Sequence, residues 1–98
     1  MDIEYKIEAT ETFKNDIRQF ELDLQDYPRM VKRLLIKLEE AMNLLEIMPF
    51  FRPMVSSKPK YRKIVIEKYI AFYTIDEKRR IVTMRRWIYA RRNWIKMI

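Results

Sequence analysis

The chain has 98 residues, 49% hydrophobic and 36% charged, the profile of one folded, soluble domain spanning residues 1–98 around a single core. It contains no cysteine and no histidine, which excludes disulfides, thiolate catalysis and cysteine-based metal sites and removes the usual general base near neutral pH, so no cofactor or metal is expected. The net charge of +7 is unevenly placed: residues 1–49 hold 7 Lys+Arg and 11 Asp+Glu, whereas residues 50–98 hold 14 and 3, a split that favours an anionic partner for the second half.

In chain order, Ile3, Tyr5 and Ile7 alternate with Glu4, Lys6 and Glu8, the period of a strand with one buried face. Thr10 or Thr12 then offers an N-cap, and Phe13, Ile17, Phe20 and Leu24 follow at helical spacing. A turn at Asp26-Tyr27-Pro28 starts a second helix, whose apolar stripe is Val31, Leu34, Leu35, Leu38, Met42 and Leu45 and which Pro49 stops. The short connection makes the two helices an antiparallel hairpin. Residues 49–60, with three prolines and two serines, form the one substantial loop. Three strands follow, Tyr61 to Ile66, Tyr69 to Ile75 and Ile81 to Tyr89, the first two joined by a two-residue turn at Glu67-Lys68 without glycine. The tail from Ala90 to Ile98 reads as a short helix or an irregular end.

The predicted architecture is therefore α+β, in the order β-α-α-β-β-β, with the helical hairpin packed on one face of a small, mainly antiparallel sheet. Side-chain parity assigns Ile64, Ile66, Tyr69, Ala71, Tyr73, Met84 and Ile88 to the face under the helices, with Arg62 and Arg86 at its margins. It places Lys63, Val65, Ile70, Phe72, Arg85, Trp87 and Tyr89 on the other face, a mixture of cations and aromatics typical of a binding surface. No apolar run approaches the roughly 18 residues of a membrane span, and the start MDIEYKIEATE lacks a signal-peptide pattern. A cytoplasmic protein with no membrane partner is expected.

The last strand, within RRIVTMRRWIYARRNW, carries three arginine pairs among Trp87, Tyr89 and Trp94. Together with YRKIVIEKYIAFYTIDEKRRIV and the opening YKIEATETFKNDI, this order resembles the RelE/ParE superfamily of bacterial toxins. The matching residues are Tyr61-Arg62, Tyr69 to Tyr73, Asp76-Glu77 and Ile88 to Arg92. The resemblance implies a type II toxin neutralised by a cognate acidic antitoxin. It implies two activities on one fold: cleavage of mRNA on the ribosome in the RelE-like branch, which is the expectation taken here, and inhibition of DNA gyrase in the ParE-like branch, which is the alternative. A non-catalytic nucleic-acid-binding module is a second alternative.

Metal-free RNA cleavage needs a base for the 2′-OH, cationic donors for the phosphorane and an acid for the leaving oxygen. On the resemblance, Lys60 and Lys63 beside Arg62 are candidates for proton transfer, Arg91 and Arg92 for clamping the phosphate, and Tyr89 for stacking or proton donation. Arg85, Trp87 and Tyr61 are candidates for contact with RNA or another target. The bland readings are an exposed arginine pair at a strand end, an ion-pair partner in Arg62, solvated lysines and tryptophans that pack. This chain has Ile70 where RelE-type nucleases carry an arginine, Tyr89 and Ala90 in place of a histidine and glycine, and no tyrosine or histidine after Arg92.

Overall fold

The computed structural model describes residues 4–98; Ile3, read above as part of the first strand, lies outside them. The first strand, β1 (Lys6–Ala9), leads into helix α1 (Glu11–Asp23) and helix α2 (Pro28–Leu45). Thr10 is the N-cap of α1, its Oγ1 accepting from Phe13 N at 3.0 Å, and Pro28 opens α2, where its missing N–H costs nothing. The loop contains one element that periodicity does not show, the two-residue strand β2 (Met54–Val55). Strands β3 (Lys58–Ile66), β4 (Tyr69–Asp76) and β5 (Ile81–Tyr89) complete a five-stranded sheet of order β1-β5-β4-β3-β2, and a 3-10 turn (Trp94–Lys96) ends the chain's regular structure. Among the described residues only the β1–β5 pair is parallel. No helix among the described residues is long and apolar enough to cross a membrane.

The expected core forms on the helix face: Phe13 and Phe20 of α1 and Leu34, Leu38, Ala41 and Leu45 of α2 pack on Ile64, Ile66, Ala71, Tyr73, Val82 and Met84. Parity fails along β5. Tyr73 pairs with Met84 but Phe72 pairs with Arg86, so Arg85 is an extra residue, a bulge that shifts the register. A slip of one residue exchanges the two faces. Trp87 therefore joins the helix-side core and Ile88 the opposite cluster, the reverse of the expectation from sequence. Tyr89, paired with Tyr69, also moves to the helix side.

That opposite face is not open. Val55, Ile70, Phe72 and Ile88 form a second buried cluster, covered by Tyr61, Ala90, Trp94, Met97 and Ile98. The C-terminal segment lies across the sheet with the Trp94 ring 5.2 Å from Phe72. Lys58 Nζ donates to the Ile98 carbonyl.

One ion pair joins these parts. Strand β1 pairs with β5 only as far as Met84, and the edge of β5 beyond it is capped by α1 and its N-cap. Thr10 Oγ1 donates to Arg85 O at 3.3 Å, and Trp87 N donates to Asp16 Oδ2 at 3.0 Å. Asp16 also receives both arms of Arg86, Nε at 2.7 Å and Nη2 at 3.1 Å, while Arg86 Nη1 donates to Met97 O at 2.8 Å. The two side chains are 16% and 21% exposed. Charge-assisted, bidentate and mostly withdrawn from water, this pair is of the kind whose halves are costly to leave unmatched.

The β3–β4 hairpin pairs Ile66 with Tyr69, which confirms the two-residue turn. It requires φ of 54° at Glu67, a left-handed conformation costing a non-glycine residue about 1–2 kcal/mol. Glu67 is held there by α2: Arg33 donates to both carboxylate oxygens at 3.1 and 3.0 Å, and Lys37 Nζ to Oε2 at 3.0 Å. The hydrogen bonds from Arg33 and Lys37 draw the Glu67 pKa down from 4.5 to about 2.

Two outcomes follow. Replacing Asp16 with Ala strands Arg86 and the Trp87 amide, and is expected to cost about 2–4 kcal/mol, somewhat under the value for a fully buried pair; thermal denaturation should show a fall of about 10 °C or more. Because Glu67 is more acidic folded than unfolded, its contribution is whole above pH 4.5 and drains as pH falls from 4.5 toward about 2. Chemical denaturation across that window should show a loss of stability that Glu67→Gln lacks.

Candidate functional site

The nine residues singled out from sequence separate into three regions. Arg62 lies on the helix face of β3, its Nη1 donating to Arg52 O at 2.6 Å and Phe50 O at 3.2 Å, with its guanidinium 5.2 Å from the centre of the Phe50 ring. It fastens the loop after α2, as does the fully buried Tyr73, whose hydroxyl donates to Pro49 O at 2.7 Å. Burial pushes the Tyr73 pKa up to about 12, so it stays a neutral donor. Arg62 thus serves the loop as a hydrogen-bond and cation-π anchor.

Lys63 points to the other face, its Nζ 5.6 Å from the centre of the Trp94 ring. Tyr61 packs against the same covered cluster. Ile70, the position at which the nuclease pattern carries an arginine, sits inside that cluster and is 5% exposed. At one end of the sheet, Lys60 and Arg85 come together with Glu8, Thr74, Asp76 and Arg79 around a groove of about 530 Å³. Arg85 Nε donates to Thr74 Oγ1 at 3.0 Å there. This groove mixes both signs of charge.

The third region is the far end of β5. Arg91 and Arg92 are exposed, and Arg92 N donates to Tyr89 O at 3.0 Å, closing a tight turn after the strand. Arg92 borders a cleft of about 300 Å³ whose other walls include Gln19, Phe20, Tyr69, Trp87 and Tyr89. Trp87 is stacked on Tyr69 at 5.2 Å and 8°, with Phe20 edge-on at 5.4 Å. Trp87 is 4% exposed and so offers no open ring face. Tyr69 is pushed toward a higher pKa, first by burial and then by Tyr89 and Asp23.

Tyr89 and Arg92 are thus brought together, as are Lys60 and Arg85. Arg62 and Lys63, adjacent in sequence, are divided by the sheet, and neither shares a groove with Arg91 or Arg92. Among the described residues no group of acidic, histidine or cysteine side chains is placed to hold a metal ion.

Two residues that organise these regions, Asp16 and Glu67, were not singled out from sequence. Asp16 had a legible signal: it falls three residues after Phe13 and four before Phe20, so it sits on the buried stripe of α1, where an acid needs a partner. For Glu67 the absence of glycine in a two-residue turn was the clue.

The fold matches chains found in two solved toxin–antitoxin complexes. The RelBE2 toxin–antitoxin complex of Mycobacterium tuberculosis contains a chain with 19% identity and a TM-score of 0.65, over 89% of this chain and 99% of that one. The archaeal RelE–RelB complex of Pyrococcus horikoshii OT3 contains one with 12% identity and a TM-score of 0.56, over 92% and 99%. No curated relative matches the chain. A family model described as the ParE toxin of the type II toxin–antitoxin system parDE matches residues 7–94. With nearly its whole length so matched, the chain belongs to the ParE toxin family, within the RelE/ParE superfamily.

Proposed function

We propose that this toxin arrests growth by binding its target rather than by cutting RNA, with DNA gyrase as that target, and that a cognate antitoxin holds it inactive. The observation that carries the reading is the fate of the catalytic candidates. Arg62 is spent on loop carbonyls on one face and Lys63 lies over Trp94 on the other. Ile70, at the nuclease arginine's position, is sealed beneath the C-terminal segment. Phosphoryl-transfer chemistry needs acid, base and cation within reach of one phosphate, and these residues converge on no common point. Arg91 and Arg92, exposed past the end of β5, suit contact with a target surface instead.

Cleavage of ribosome-bound mRNA is the second reading, favoured by the groove that joins Lys60 to Arg85. Both readings share the antitoxin. The basic second half suits an acidic partner, and Leu44, Met48, Phe51, Met54 and Val65, each at least half exposed, give that partner apolar surface to cover as it folds.

Induction in cells separates the readings. Growth arrest with a DNA-damage response and intact mRNA is expected, and co-expression of an acidic protein encoded by the adjacent reading frame should restore growth. Immediate loss of amino-acid incorporation with cut transcripts would overturn the gyrase reading. Replacing the exposed Arg92 with Ala should abolish arrest while changing stability by no more than about 0.5 kcal/mol.

A further inference from the structure

The cations of the second half are almost all unmatched by acids. Of the 14 in residues 50–98, Arg86 alone is in an ion pair among the described residues, whereas five of the seven in residues 1–49 are: Lys6, Lys14, Arg18, Arg33 and Lys37. Pairing within the chain therefore leaves the basic half uncompensated, as a protein that meets a polyanion does. The deficit of acid is also local. Residues 52–66 and 88–98 hold eight basic residues and no acidic one, and the two segments pack on each other. Lys58 Nζ donates to Ile98 O, Lys63 Nζ lies 5.6 Å from the centre of the Trp94 ring, and Tyr61 joins Trp94, Met97 and Ile98 over the second cluster. On the surface so formed, Lys58 and Lys63 are part-buried along β3, and Lys60, Arg91 and Lys96 are exposed. Lys60 and Lys63 stand about 10 Å apart along the strand. The acids Glu8, Asp76 and Glu77 border the groove beyond Lys60, where Glu8 pairs with Lys6 and Asp76 Oδ1 accepts from Arg79 N. Asp16, which reaches the C-terminal segment only through Arg86, is matched by it.

We infer that this acid-free surface, made by β3 and the C-terminal segment, binds the phosphate backbone of duplex DNA, so that the toxin touches DNA as well as the enzyme that acts on it. The choice of a duplex rests in part on the gyrase reading given above. The aromatics of the surface support it independently. Single strands are held by open rings on which unpaired bases stack, and here Phe72 is fully buried while Trp94 and Tyr61 are packed onto the cluster. The exposed Phe50 and Phe51 belong to the loop after α2, where Phe50 meets Tyr5 and Arg62. Four of the five cations, Lys58, Lys60, Lys63 and Lys96, are lysines. A lysine is a point charge on a flexible stem, suited to phosphates and without the planar fork that reads a base edge. Contact of this kind is electrostatic and independent of sequence.

The test titrates the full-length toxin, with no gyrase present, into a short fluorescent duplex of mixed sequence, into its separated strands and into a single-stranded RNA of the same length. Anisotropy should show the duplex bound most tightly. If about four phosphates are neutralised, affinity should fall about a hundredfold between about 50 and 200 mM salt. Replacing two exposed lysines together, Lys60→Gln with Lys96→Gln, should flatten the slope of log affinity against log salt by about 2. Arg29→Gln with Lys32→Gln removes the same charge from exposed positions of α2 and should leave that slope unchanged. No binding of the duplex at low salt, tighter binding of the RNA, or an equal loss from the α2 pair would overturn the inference. The gyrase reading is separable from it. Inhibition of supercoiling by a toxin that binds no duplex would sink this contact and keep that reading, whereas duplex binding with supercoiling intact would do the reverse.

Discussion

The Asp16–Arg86 pair is the interaction on which the arrangement of this toxin depends. It is made where the sheet is weakest, at the edge of β5 that β1 leaves uncovered after Met84. A bare strand edge exposes backbone donors and acceptors to unwanted pairing. Here Thr10 and Asp16 close it from the side, and the Arg86 guanidinium carries the connection on to Met97. One carboxylate thus fixes the angle of α1, the twist of β5 at its bulge and the path of the C-terminal segment. Removing two charges from water is repaid here because each Asp16 oxygen has a donor and two arms of the guanidinium find the same acid.

The bulge at Arg85 is the second determinant, because it decides what each face of the sheet is for. By exchanging Trp87 and Ile88 it puts a large aromatic under the helices and an aliphatic on the far side. The far face then presents an apolar floor of Val55, Ile70, Phe72 and Ile88, on which Trp94 can settle. A cationic residue at position 70 would keep that floor polar and open. In this chain the face is used for packing, and the exposed charge is displaced to the two ends of the sheet.

Much of this was legible in the residues. Periodicities of two and about 3.6 locate β1, both helices and the three long strands, and the Thr10 cap and Pro28 start stand as read. Strand β2 was hidden because two residues among prolines carry no period. The face assignments beyond Met84 failed because a bulge leaves no mark when its extra residue is an arginine rather than a glycine. Family membership was readable from the ordered strands, whereas the division of labour among the arginines was not. Arg62, Arg85, Arg86 and Arg92 look alike in sequence, yet they bond to loop carbonyls, to Thr74, to Asp16 and, through the Arg92 side chain, to none of the described residues. Only the register and the course of the C-terminal segment separate them.

An inhibitor that binds is consumed in proportion to its target, whereas a nuclease turns over. Titrating the purified toxin into a gyrase supercoiling reaction, and in parallel into mRNA-programmed ribosomes, therefore tests the central claim most directly. Supercoiling should fall as the toxin approaches the amount of gyrase present, with full-length mRNA retained on the ribosomes. Transcripts cut by toxin at a small fraction of the ribosome concentration, with supercoiling intact, would contradict it.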